Sequence, residues 1–268
     1  MSIVVREVLA KTVLTKSGVE GVDYVINPYA GCLHDCRYCY ARYMRKYTGR
    51  SEAWGSFVDV KINAPELVCS SARKTRGHVV TLSTVTDPYQ PVEKRYRLTR
   101  RILKELVVYN PCIRIMTKSP LVLRDMDILS NFEDCSVSIS LSMNDERLRK
   151  QLEPILPSAK ERYLALQKIK EAGIKAVLFI SPIFPEITKW KEIIEETRSI
   201  VDEYWFENLN LYPSVRGNVL KFVRANFPDL VEVYQEIIEG NKWYWLNVAD
   251  RIEEYCRRIG VSFRMCFH

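Results

Sequence analysis

Cys32, Cys36 and Cys39 fall within the segment GCLHDCRYCYARY, residues 31–43, in the spacing C-x3-C-x2-C. Three thiols on one short loop is the density of a metal-ligating segment. A structural zinc site wants four protein ligands, usually as two separated pairs, and no second C-x2-C follows. His34 lies two residues from both Cys32 and Cys36, so recruiting it as a fourth ligand would strain the loop. Three incidental buried thiols are the bland alternative. An iron–sulfur cluster fits the donor set best: three thiolates hold three irons of a four-iron cluster and leave the fourth open to a small molecule.

Such a loop needs a scaffold. Short β-branched runs alternate with amphipathic stretches along the chain. Residues 23–29, 78–84, 113–119, 135–142, 175–183 and 205–213 read as strands, most of them apolar enough for burial on both faces. Between them, residues 97–110 carry Leu98, Ile102, Leu103, Leu106 and Val107 at helical spacing, with Asn110-Pro111 as the stop. Ser158 and Glu161 form a capping box for a helix ending at Gly173. Trp190, Ile193, Ile194, Thr197, Ile200, Val201 and Tyr204 trace one face of another helix. Residues 242–260 read as a further helix and 261–268 as a last short strand.

Strand and helix repeated in this way predict a parallel sheet with about six βα units, an open or partial barrel. Its site belongs at the carboxyl ends of the strands. Polar residues collect there in STVTD, TKS, SLS and SPI. Lys118 and Ser119 end the third strand. Ser138, Ser140 and Ser142 alternate along the fourth and so share one face, sensible lining for a polar cofactor.

The chain has 268 residues, a net charge of +7 and eight cysteines. At ~150 residues per domain this length suits one large domain or two small ones, and no linker or repeat divides it. No stretch approaches the ~20 apolar residues of a membrane span, and no leader pattern opens the sequence, so a cytoplasmic protein with reduced cysteines is expected. Cys69, Cys112, Cys135 and Cys256 read as packed core thiols. The positive charge permits nucleic acid as a partner without requiring it.

The cysteine spacing, with Tyr38 as an aromatic before the last cysteine, resembles the signature of the radical S-adenosylmethionine (SAM) superfamily. NPYAGCLHDCRYCYAR, TVTDPYQPVE, TKSPLVLRD, SISL, LEPILPSAKERYLAL and AGIKAVLFISPIFP resemble its spore photoproduct lyase-like branch, over about residues 25–185. The resemblance implies an α/β fold, a partial (β/α)6 barrel of the radical SAM type, here one domain with a core over about 23–213 and a C-terminal helical extension over about 214–268. It implies a [4Fe–4S] cluster on Cys32, Cys36 and Cys39, and SAM as the second cofactor. It also implies a reducing protein such as a ferredoxin or flavodoxin.

In that reading SAM is cleaved reductively to a 5'-deoxyadenosyl radical, which takes hydrogen from a substrate. Tyr38 is expected near the adenine, Ser83, Thr84, Thr86 and Asp87 near the aminoacyl group, and Arg162 on the carboxylate. Asp87 before Pro88 reads equally as a turn residue. One departure bears on the reaction: the lyases carry a hydrogen-returning cysteine where this chain has Thr84. Cys266 in the last strand is then the candidate donor. The substrate classes open to such an enzyme are a nucleobase in DNA or RNA, a protein side chain or a small metabolite. A non-catalytic iron–sulfur or zinc protein is the rival reading.

Overall fold

In the computed structural model, which describes residues 3–268, the strands follow in chain order: β1 (Val4–Val8), β2 (Leu14–Lys16), β3 (Tyr24–Ile26), β4 (Tyr29–Ala30), β5 (Phe57–Lys61), β6 (Val79–Leu82), β7 (Cys112–Thr117), β8 (Cys135–Leu141), β9 (Lys175–Ile183), β10 (Glu203–Asn208) and β11 (Phe263–Met265). Eight of them form one sheet in the order β11-β10-β9-β8-β7-β6-β3-β2. Every pairing in it is parallel except β2 with β3. The run from β3 to β10 supplies the six expected βα strands, and the sheet stays open between its β2 and β11 edges.

β1, β5 and β4 make a second, three-stranded sheet that the sequence pattern does not announce. The expected strand 23–29 is therefore split: Tyr24–Ile26 joins the main sheet and Tyr29–Ala30 the small one. The strand expected over 78–84 stops at Leu82, because Ser83 takes a left-handed φ of 64° that cannot continue a strand.

Every residue of β8 is buried, as a central parallel strand requires. Val137, Ile139 and Leu141 enter the main apolar core with Ile102, Leu106, Ile113 and Leu166, while the alternating serines face the other side. Burying each such aliphatic side chain contributes about 1.5–3 kcal/mol. The helix carrying Leu166 spans Ala159–Glu171 and has the expected capping box, with Ser158 N–H donating to Glu161 Oε2 at 2.8 Å and Glu161 N–H to Ser158 Oγ at 3.2 Å. Ser158→Ala is expected to cost ~1 kcal/mol of stability, readable as a lowered urea midpoint with unchanged m-value.

The helix expected to run as far as Tyr204 ends at Thr197. Thr197 turns its hydroxyl onto the Ile193 carbonyl at 2.6 Å, and the chain then enters β10. Tyr204 is buried as expected, but as a strand residue whose hydroxyl donates to Ile194 O. At the C-terminal end, the helix Lys242–Ile259 packs Val248, Ile252 and Cys256 into the main core. Gly260, at φ 72°, closes that helix and turns the chain into β11. Cys135 and Cys256 are buried as expected and Cys112 is half-buried, but Cys69, at the end of its short helix, is exposed. No helix among the described residues is long and apolar enough to cross a membrane.

Candidate active site

The cysteine loop follows β4 and is held by backbone geometry and by two clamps. Gly31 has φ 88°, and a Cβ there would meet the Phe57 carbonyl oxygen at 2.6 Å, so only glycine lets the loop lie against β5. Leu33 N–H donates to Gln90 Oε1 at 3.0 Å, and Thr86 Oγ1 and Gln90 Nε2 donate to Gly31 O at 2.7 and 3.2 Å. On the other side Arg42 donates to Asp35 Oδ1 and to Cys36 O, both at 3.0 Å. Thr86 is thus occupied in positioning the loop.

Cys32, Cys36 and Cys39 line one cavity of about 580 Å³ at the carboxyl ends of the strands, with Ser83, Thr84, Thr86, Asp87, Lys118, Ser140 and Cys266. All three thiols are free, two of them buried and Cys39 half-buried. Among the described residues no three His, Cys, Asp or Glu side chains converge to share a single ion, the arrangement zinc would need. Three thiols from one loop that line one cavity, each able as a thiolate to take a different iron, are a donor set that fits a cluster. Burial pushes the Cys36 thiol up, against the pull of Lys118, and pushes Cys39 up to about 11. Both are protonated at neutral pH without metal, so loading releases protons.

Asp87 fills the turn role expected as its alternative and does more besides. Its Oδ1 accepts from Tyr89 N–H at 2.8 Å and from Thr117 Oγ1 at 2.6 Å, and its Oδ2 from Lys118 N–H at 2.9 Å. His34 Nδ1 lies 3.3 Å from Oδ2. Burial favours the neutral ring, but the Asp87 carboxylate and the Cys32 sulfur outweigh it and push His34 up to about 10. Asp87, against the opposing effect of burial, is held down at about 2 chiefly by that imidazolium. His34 is thereby a buried cation beside the cysteines, a role its sequence position did not disclose.

Ser83 is 2% exposed, lines the cavity and has no partner for its Oγ. Thr81 Oγ1 and Trp205 Nε1, in the same lining, are also unpartnered. Buried polar atoms left without partners cost about 1–3 kcal/mol each, so a polar ligand fits this cavity.

Five expected residues stand outside the lining. Arg162 is 0% exposed and donates to Ser140 O at 2.9 Å and to Glu153, which also accepts from the Tyr38 hydroxyl. Both terminal nitrogens of that guanidinium are bonded within the protein, its buried Nε has no partner, and Arg162 stands outside the lining in which the SAM carboxylate was expected. Tyr38 packs its ring edge-on to Phe184 at 5.6 Å, so its side chain is likewise committed away from the cavity. Ser119 accepts from Leu121 N–H as a helix cap. Of the serine stripe only Ser140 reaches the lining, because Ser138 and Ser142 are closed off by packing.

Glu207, Ser181, Phe179, Trp205, Tyr40 and Arg264 enter the lining unannounced. Ser181 Oγ donates to Glu207 Oε2, and Phe179 and Trp205 are in register on adjacent strands with ring centroids 6.0 Å apart. The period-two rule that picked out the serines would have paired Trp205 with Glu207 on one face. Burial raises the Glu207 carboxyl, with Ser181 opposing. Cys266 reaches the same wall because its N–H donates to Phe206 O at 2.8 Å, which fixes it beside Glu207.

A profile of the Radical SAM superfamily matches residues 26–197. An uncharacterized protein of Methanocaldococcus jannaschii is 35% identical over 98% of this chain and 97% of its own length. An uncharacterized protein of Mycobacterium tuberculosis is 29% identical over 97% of this chain and 81% of its own. The fold is similar to spore photoproduct lyase complexed with dinucleoside spore photoproduct, at a TM-score of 0.61 and 17% identity, over 84% of this chain and 66% of that one. It is also similar to Streptococcus suis SuiB bound to S-adenosylmethionine, at a TM-score of 0.57 and 13% identity, over 91% of this chain and 49% of that one. This chain therefore spans just under two thirds of the lyase and half of SuiB, and both likenesses bear on fold alone. A match over 172 residues that takes in the cysteine loop and the strand ends around it places the chain in the radical SAM superfamily: it is a radical SAM enzyme, with a [4Fe–4S] cluster and SAM the cofactors its family implies.

Proposed function

We propose that Cys32, Cys36 and Cys39 hold a [4Fe–4S] cluster and that the adjoining cavity binds SAM and a substrate from which hydrogen is abstracted. When bound, the two cofactors supply a 5'-deoxyadenosyl radical by one-electron cleavage of the sulfonium. This chain's residues bind, orient and exclude water. Ser83, Thr84 and Ser140 offer hydroxyls to the polar groups of SAM, and Lys118 brings a cation beside Cys36. Asp87 and Thr86 act by positioning. Cys266 is the hydrogen donor to the product radical, since a thiol in the same cavity replaces what Thr84 lacks.

The observation that carries this reading is the convergence of the three cysteines, the unpartnered Ser83 Oγ and Cys266 on one cavity. For the substrate, the reading is a nucleobase in DNA or RNA. The aromatic wall of Phe179 and Trp205 suits a flat ring splayed out of its strand, and spore photoproduct lyase is similar in fold and complexed with a dinucleoside photoproduct.

The test is anaerobic reconstitution with iron and sulfide, reduction with dithionite, addition of SAM and chromatography for 5'-deoxyadenosine, with and without nucleic acid. Release of 5'-deoxyadenosine is expected, with stimulation by DNA or RNA. A cluster whose spectrum is indifferent to SAM, with no cleavage, would sink the radical reading; cleavage unmoved by nucleic acid would sink the nucleobase. Cys266→Ala is expected to leave uncoupled 5'-deoxyadenosine formation intact and to cut product yield, seen as a changed ratio of the two.

A further inference from the structure

Glu207 lines the cavity beside Cys266 and has no part in the reaction proposed above. Phe179 and Trp205 stand four and three residues before the ends of β9 and β10. They therefore lie deeper between the strands than Ser83, Thr84 and Lys118, which follow the ends of β6 and β7. The two rings meet at 79° and so make a corner: a planar molecule lying along one presents its edge to the other. The Arg264 guanidinium stands over the Trp205 ring at 5.6 Å.

The Glu207 carboxylate is only half committed. Its Oε2 accepts from the Ser181 hydroxyl, and among the described residues no donor reaches Oε1. Burial opposes ionisation there, and N–H donors brought by a ligand would offset that cost. In the same lining Thr81 Oγ1 and Trp205 Nε1 are buried donors without partners. The deep part of the cavity thus sets one open acceptor against two open donors, around a corner shaped for a flat ring.

We propose that this corner is a guanine subsite, in which Glu207 accepts from the N1–H and N2–H groups of the base and so determines substrate specificity. The inference rests on the nucleobase reading above. A carboxylate is acceptor-only, with about four lone-pair sites, so Oε1 and the remaining site on Oε2 take two donors side by side. Among the common bases, guanine presents two adjacent N–H donors on its Watson–Crick edge. Adenine and cytosine set one amino group beside a ring-nitrogen acceptor, and thymine and uracil flank one N–H with two carbonyl oxygens. In each of these an acceptor lone pair would face the carboxylate. The O6 and N7 acceptors of guanine lie on the adjoining edge, where Trp205 Nε1 and Thr81 Oγ1 are the donors to meet them. A splayed base packed on aromatic rings is read in this way, by hydrogen bonds to its edge.

The probes are a labelled oligothymidylate of ~10 nucleotides, the same strand with one central guanine, and the RNA counterparts of both built on uridine. Each is titrated with enzyme carrying cluster and SAM, without reductant, and followed by fluorescence anisotropy. Wild type is expected to bind the guanine strand at least ~10-fold more tightly, a decade in Kd, and the sugar that shows the preference names the source of the base. Glu207→Gln keeps one acceptor but turns an amide donor toward the second N–H, so it is expected to bring the two strands within ~2-fold. Glu203→Gln removes the same charge from the same strand outside the cavity, where Glu203 pairs with Lys175 at 2.7 Å, and is expected to keep the preference. Strands bound alike by wild type would overturn the inference and leave the nucleobase reading standing. So would a preference that Glu207→Gln retains while both affinities fall, since Glu207 would then be structural, or one that Glu203→Gln also loses. Failure of wild type to bind any of the strands would sink the nucleobase reading itself, and the guanine subsite with it. A guanine preference lost in Glu207→Gln, in an enzyme that cleaves no SAM on reduction, would overturn the radical reaction and leave the subsite in place.

Discussion

Cys36→Ala is expected to give a folded but colourless protein after anaerobic reconstitution, with iron content falling from about four per chain toward background. Formation of 5'-deoxyadenosine is expected to fall to background with it. Cys36 is buried beside Lys118 and lines the cavity with Cys32 and Cys39, so its loss removes one of the three proposed ligands. The fold does not depend on that thiol. The loop around it is held by Gly31, Gln90, Thr86 and Arg42, none of which bonds the sulfur. Circular dichroism and thermal midpoint are therefore expected to stay near wild type while iron and activity vanish. The control is Cys256→Ala, a buried core thiol far along the chain. It should lower stability by ~1 kcal/mol and leave iron unchanged. Retention of iron and turnover by Cys36→Ala would remove it from the ligand set.

Arg162→Met is expected to lower stability by ~3–5 kcal/mol, because it strands the Glu153 carboxylate in the interior without its closest cation. Arg162 and Glu153 are both fully buried, and Arg149 reaches the same carboxylate only at 3.7 Å. Burial alone would raise the Glu153 carboxyl; Arg162 first and Lys118 second outweigh it and hold it below the usual carboxylate range. A group lowered in this way contributes stability that is present above its unfolded pKa and is lost as pH falls through its folded pKa. The gap between variant and wild type should accordingly narrow in acid, in urea melts run from neutral pH downward. Replacing both partners with apolar residues of similar size, E153L/R162M, is expected to recover much of the loss. If Arg162 were instead a ligand for SAM, the single variant would keep its thermal midpoint and lose only SAM affinity, and that outcome would reverse the assignment.

Features written within a few residues were legible in the sequence. The cysteine spacing, the alternation along β8 and the capping box of Ser158 and Glu161 depend only on local geometry, and each has its counterpart in the structure. The open parallel sheet was legible too, because buried parallel strands and crossover helices leave distinct periods. The breaks in that reading are also local in cause but invisible in composition. Ser83 adopts a left-handed φ, and the strand expected over 23–29 divides between two sheets.

What only the tertiary structure decided is which polar side chains remain free. Tyr38 meets Glu153 across 115 residues of sequence, and that carboxylate takes up Arg162 as well, so two residues expected at the ligand are committed to the interior. Ser119 caps a helix, and Ser138 and Ser142 are sealed by packing, while Ser140 between them is not. Glu207 and Cys266 become neighbours only because β11 pairs parallel with β10 from the far end of the chain. Residue type and spacing state what chemistry a chain can support. Whether a donor is spent on the protein or left for a ligand depends on partners brought in from distant segments, and no local pattern records them.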